Sequence, residues 1–103
     1  MPWFILLLAG LFEIVWAVGL KFTDGFTRPW PTFYTVLALL VSISLLGIAS
    51  KSLPIGTAYA VWTGIGAIGT VIGGIILFQE PATTMRMVCV SLILVGVLGL
   101  KIA

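Results

Sequence analysis

The sequence predicts an all-α integral membrane protein, four transmembrane helices in one domain over residues 1–103, assembled as an antiparallel, dual-topology homodimer. Three observations predict it. The composition is 61% hydrophobic and 8% charged, with a mean hydropathy of +1.30; a soluble chain of this size needs far more charge on its exterior. Four apolar stretches have the length of a bilayer crossing, which takes about 20 helical residues for a core of roughly 30 Å. The five basic residues divide almost evenly between the two ends of those stretches.

The spans follow in order. The first covers about residues 3–20 and stops at Lys21. The second covers about 32–50, after the Pro29-Trp30-Pro31 break. The third covers about 57–78, after Leu53-Pro54-Ile55-Gly56. The fourth covers about 85–101, flanked by Arg86 and Lys101. The linkers, with Asp24-Gly25 and Gln79-Glu80-Pro81, collect turn formers and nearly all the charge. Trp3, Trp30 and Phe78 fall near span ends, the depth that amphipathic rings prefer. Short connections of this kind imply a pair of helical hairpins with both termini on one side. The first stretch lacks a basic leader and carries a glutamate at its centre, which argues against a signal peptide.

Several function classes drop out. The net charge is +2, but single basic residues at helix ends make no nucleic-acid surface. With no histidine and one cysteine, Cys89, the chain has no intrachain disulfide and no His/Cys metal cluster. Nothing resembles a nucleophile–base pair or a phosphate loop, so neither an enzyme nor a cofactor is expected. Gly64-Ile65-Gly66-Ala67-Ile68-Gly69 matches the letters of the dinucleotide fingerprint, but no strand precedes it and the stretch is apolar throughout.

Lys51 and Lys101 belong to the side of the termini, and Lys21, Arg28 and Arg86 to the other. Two against three is a weak bias for the positive-inside rule, so insertion both ways up is expected. Alternating-access carriers are commonly built from inverted repeats. No internal repeat is visible here, and a second copy inserted upside down supplies the missing half.

Glu13 is the strongest chemical signal. It has about ten span residues before it and seven after. A carboxylate at that depth costs about 2.5–3.5 kcal/mol on insertion scales and must face protein or a wet cavity. Such residues mark ion or substrate paths; the plainer alternative is a protonated carboxyl bonded to a neighbouring helix. Ala9, Glu13, Trp16 and Ala17 share one face. Trp16 offers an indole donor and a ring face to a cation, or simply packs. On the third span Tyr59, Trp62 and Gly66 share a face; the two aromatics line a pocket or belong to the interfacial belt. Gly64-Ile65-Gly66 reads as a flexible joint, and Gly69 with Gly73 as a close-packing seam. Ser42, mid-way along the second span, lies at a depth from which it could bond Glu13. The fourth span carries Gly96 and Gly99 among branched aliphatics and reads as a packing or dimerisation helix.

Glu13 with Trp16, Lys21 with Gly25-Phe26-Thr27-Arg28, the block from Lys51-Ser52-Leu53-Pro54 through Tyr59-Ala60-Val61-Trp62-Thr63-Gly64-Ile65-Gly66, and the Gly96-Val97-Leu98-Gly99-Leu100-Lys101 ending resemble the small multidrug resistance family over essentially the whole chain. Trp16, Gly25-Phe26-Thr27-Arg28 and Lys101 are similar to its guanidinium-exporting subtype. The resemblance implies an antiparallel homodimer in the bacterial plasma (inner) membrane that exchanges protons for guanidinium or small guanidinyl cations. Glu13 would be the shared proton and substrate site and Trp16, Ser42, Tyr59 and Trp62 its pocket partners. Gly64-Ile65-Gly66 would be the third-helix bend, and the fourth helix, with Gly96 and Gly99, the dimer contact. The alternatives are a promiscuous quaternary ammonium exporter of the same family and a non-transporting membrane subunit.

Overall fold

The computed structural model describes residues 2–103 as four helices: α1 Pro2–Phe22, α2 Pro29–Ala49, α3 Ile55–Phe78 and α4 Thr84–Ile102. At 1.5 Å per residue the 21 residues of α1 reach about 31 Å, the thickness of a hydrocarbon core. All four are long and apolar enough to cross a membrane. The protein is therefore multi-pass.

Two starts differ from the sequence expectation. The helix of the second span begins at Pro29 rather than after Pro31, because a proline in the first turn gives up an N–H that would have had no helical partner. Likewise α3 begins at Ile55, directly after Pro54. The prolines start these helices rather than interrupt them.

Helix α1 is the hub, packed along both α2 and α3. Helices α2 and α3 barely meet, and the backbone of α4 lies against α3 alone. The expected pair of hairpins therefore does not close into a square bundle. The chain is a slab of 40 × 34 × 17 Å. It exposes 6497 Å², against about 5,600 Å² for a compact soluble chain of its mass. Among the described residues α4 buries none of its side chains. The small core sits where the hub meets its neighbours, around Leu6, Ala9, Ala58, Val61 and Trp62.

Side chains mark the two ends. At one, Lys101 Nζ lies 5.9 Å from the Trp3 ring centroid, bringing the last turn of α4 beside the first turn of α1. At the other, Phe22 and Phe78 stack at 5.3 Å, with Lys21 Nζ 5.8 Å from the Phe78 ring. The α1–α2 turn closes on Thr23, which is 1% exposed. Its hydroxyl donates to Leu20 O at 2.7 Å and accepts from Phe26 N–H, while its carbonyl accepts from Thr27 and Arg28. Asp24, Gly25 and Phe26 are all left-handed there; two of the three carry a Cβ, so the knot around Thr23 must hold them.

Candidate functional site

Helix α1 brings Glu13 to its own midpoint, and α3 receives it at a glycine. A Cβ built on Gly66 would collide with the Glu13 carboxylate and would lie 2.8 Å from Glu13 Cγ. The carboxyl therefore occupies the volume that any other residue at 66 would fill. The same seam repeats along the helices. A Cβ on Gly69 would strike Ile14, one on Gly73 would touch Val18 at 3.0 Å, and one on Gly10 would meet Ile65 at 2.6 Å. Reciprocal small residues let the two backbones approach, as in other membrane helix pairs. On the far side of α3 a Cβ on Gly64 would strike Val97 of α4. Helix α3 runs unbroken through Gly64-Ile65-Gly66, whose glycines here serve contact with α1 and α4.

Ser42 does not bond Glu13 as the sequence had suggested. Its hydroxyl donates to Ala9 O at 2.6 Å and accepts from Trp62 Nε1–H at 2.9 Å. Ser42 is fully buried, and its two bonds tie α2, α1 and α3 together one turn from Glu13. Cross-bundle register decides this pairing, since Ala9 precedes Glu13 by four residues. Trp62, 8% exposed, sits inside rather than in an interfacial belt. Tyr59, more than half exposed, lies against it at 5.6 Å between ring centroids. So α1, α2 and α3 gather Glu13, Ser42, Trp62 and Tyr59 into one region.

Two buried polar atoms in this region have no partner: Glu13 Oε2 and the Trp16 indole Nε1. Unpaired buried groups are costly and call for an account. An acceptor and a donor one turn apart on the same helix are together suited to a small polar ligand, the carboxylate taking N–H donors in a fork and the indole face meeting a positive charge.

A larger cavity of about 460 Å³ opens between α1, α2 and α3 and is lined by Ile14, Val18, Phe22, Tyr34, Thr35 and Gly73 among others. It has no charged lining group and does not include Glu13. Its chemistry suits apolar chains, not a small cation. Sequence reasoning passed over two groups that the structure makes prominent. The Thr70 hydroxyl in mid-α3 is buried without a partner, and Glu80 pairs with Arg86 at 3.0 Å across the α3–α4 connection. Opposite charges flanking a turn were the available signal for the second.

Residues 1–93 match the sequence model of the family described as Small Multidrug Resistance protein. Over 103 residues the chain is 57% identical to the guanidinium exporter of Escherichia coli (strain K12), covering 100% of this chain and 98% of that protein. It is 56% identical to the guanidinium exporter of Proteus vulgaris, covering 100% and 99%. It is 53% identical to that of Citrobacter freundii, covering 100% and 98%. These relatives are named as exporters, not enzymes. With four spanning helices, a carboxylate at the centre of the first and a match over nine-tenths of its length, the chain belongs to the small multidrug resistance family.

Proposed function

We propose that this chain exports guanidinium across the bacterial inner membrane in exchange for protons. Glu13 holds proton and cation in turn, and the working unit is an antiparallel homodimer. The observation that carries the reading is the carboxylate lodged against Gly66, with Oε2 unpartnered and, one turn on along α1, an unpartnered Trp16 donor, in a chain whose relatives are named guanidinium exporters.

The chemistry follows from one site with two exclusive occupants. Guanidinium is planar and weakly hydrated, and its N–H groups meet a carboxylate in a bidentate fork while its faces stack on aromatic rings. Ionised Glu13 needs a cation to remain in the membrane interior. Protonated Glu13 has no charge to offer one. If the dimer reorients only when the site is occupied, protons moving inward drive guanidinium outward. Trp16, Ser42, Trp62 and Tyr59 line the pocket in this reading, and Gly64-Ile65-Gly66 gives α3 the bend that exchanges the two protomer conformations. Helix α4 supplies the contact between copies. Its support is that no protomer atom lies within 4 Å of a Cβ on Gly96 or Gly99. The near balance of basic residues, two against three, supports insertion in both directions. Quaternary ammoniums lack N–H donors and would leave the fork unmade.

The test is transport in proteoliposomes under an imposed pH gradient. Wild type should move guanidinium faster than a tetraalkylammonium, and Glu13→Gln should move neither; equal flux through wild type and Glu13→Gln removes the mechanism. Equilibrium binding gives a second check. Apparent affinity scales with the competent fraction, so it should rise about tenfold per pH unit while Glu13 is mostly protonated and then level off. An affinity indifferent to pH would exclude competition at one carboxyl.

A further inference from the structure

The apolar cavity of about 460 Å³ stands apart from the carboxylate. Helices α2 and α3 meet toward their connected end, where Ala49 and Ala58 share the core and Trp62 donates to Ser42, and they part toward the other. The cavity is the wedge left between them. Ile14, Val15, Val18 and Phe22 of α1 floor it, and Tyr34 of α2 and Leu77 of α3 stand among its walls. Val15 lies two residues beyond Glu13, about 200° round the helix at 100° per residue, so the wedge and the carboxyl look out from opposite faces of α1. Val15, Tyr34 and Leu77 are each more than half exposed. The wedge is therefore open along its outer face, and in a helix of spanning length and apolarity that face meets lipid.

Size and lining decide what can fill it. A buried water needs two to four polar partners, whereas an apolar cavity of about 150 Å³ stays dry and takes up benzene. This one is about three times larger, and its only side-chain polar groups are the hydroxyls of Tyr34 and Thr35. The length fits a lipid chain. From Ile14, beside the midpoint of α1, to Phe22 at its end is about 12 Å, and one leaflet of a hydrocarbon core is about 15 Å deep. At that end the wedge runs into basic residues. Lys21 precedes Phe22 and holds Nζ 5.8 Å from the Phe78 ring, which stacks on Phe22. Arg28 stands at the N-cap of α2, three residues before the lining Pro31. Both are exposed. Among the described residues the one ion pair is Glu80–Arg86, so neither Lys21 nor Arg28 is matched, even by Asp24 in the same turn.

We propose that this wedge holds one acyl chain of an anionic phospholipid, with its phosphate at Arg28 and Lys21. The chain supplies the apolar contact that α2 and α3 do not give each other at this end, and the two cations select the headgroup. Neither depends on the exchange proposed for Glu13.

The test is native mass spectrometry of the full-length chain released from detergent after titration with dioleoylphosphatidylglycerol, with dioleoylphosphatidylcholine, or with glycerol phosphate, which has no acyl chain. Wild type should retain one phosphatidylglycerol per chain, about tenfold more tightly than phosphatidylcholine, and no glycerol phosphate. Arg28→Gln, in an exposed turn, should weaken phosphatidylglycerol about fivefold and leave phosphatidylcholine unchanged. Val15→Trp fills the wedge from a position already exposed and should lose both lipids. Ile76→Trp is the control, at a residue 71% exposed and outside the lining, and should lose neither. Should Val15→Trp not fold, the smaller Val15→Phe is judged in the same way. Equal retention of the two lipids, or Arg28→Gln at wild-type affinity, overturns the headgroup contact. Wild-type retention by the filled variant, or an equal loss in Ile76→Trp, overturns the wedge as the seat. Glycerol phosphate held as tightly as the lipid overturns the chain's part and leaves a free-phosphate site. Adducts on monomers and none on dimers overturn the proposal by giving the wedge to a second copy.

Discussion

Replacing Gly66 with alanine asks whether the shape of one seam sets the position of the charge. The added methyl would overlap the Glu13 carboxylate and lie 2.8 Å from its Cγ. Carbon atoms rest at about 3.5–4.0 Å, so the side chain must withdraw by roughly 1 Å. Alanine is the better helix former by about 0.8–1.0 kcal/mol, while overpacking costs about 1–3 kcal/mol. The fold should therefore survive with a modest loss. Binding should suffer more, because a displaced carboxylate forfeits a charge-assisted bond of about 1.5–3 kcal/mol, or about 10–100-fold in Kd. The assay is guanidinium titration of the full chain in detergent, beside a thermal melt of the same sample. Gly69→Ala is the control, since its methyl strikes Ile14 of the same seam and misses the carboxyl. Both variants should lower Tm, and only Gly66→Ala should weaken binding. Affinity within twofold of wild type for Gly66→Ala, or an equal loss in Gly69→Ala, would refute the reasoning.

Two further outcomes are expected. Ser42→Ala removes the acceptor of the Trp62 N–H and the bond to Ala9 O; buried polar losses between membrane helices average about 0.6 kcal/mol and reach about 1.7, so stability in a detergent unfolding titration should fall by about 1 kcal/mol, with a shift in Trp62 emission. A Cβ on Gly96 has no neighbour within 4 Å, so Gly96→Trp should leave the helical content intact and convert cross-linkable dimers into monomers; undiminished cross-linking would remove α4 as the contact.

What the sequence disclosed was whatever a bilayer constrains by length and polarity. The four spans are legible because lipid tolerates no unpaired backbone, and Glu13 because a charge at that depth demands a reason. The helices begin earlier than the expected spans, at Pro29, which is welcome in a first turn, and at Ile55, which Pro54 precedes as the cap. The Ser42 bonds were illegible for a different reason. They depend on the rotation of α2 about its own axis relative to Ala9 and Trp62, which hydropathy does not encode. The open slab was hidden too: short linkers fix that neighbours are antiparallel, yet do not decide that the backbone of α4 lies against α3 alone. Glu80 and Arg86 are six residues apart across Pro81, a spacing with no helical periodicity, so only their opposite charges on either side of a turn pointed to the pair.

The single seam by which α4 is attached bears on how a newly made copy matures. Three helices can finish their mutual packing during synthesis, since α1 serves both neighbours, whereas the last to emerge packs its backbone on one partner and buries no side chain. Its completion is left to whatever lies beyond the protomer. For the proposed pair, stability measured at high dilution, or in micelles too small for two copies, would then understate what the crowded membrane provides.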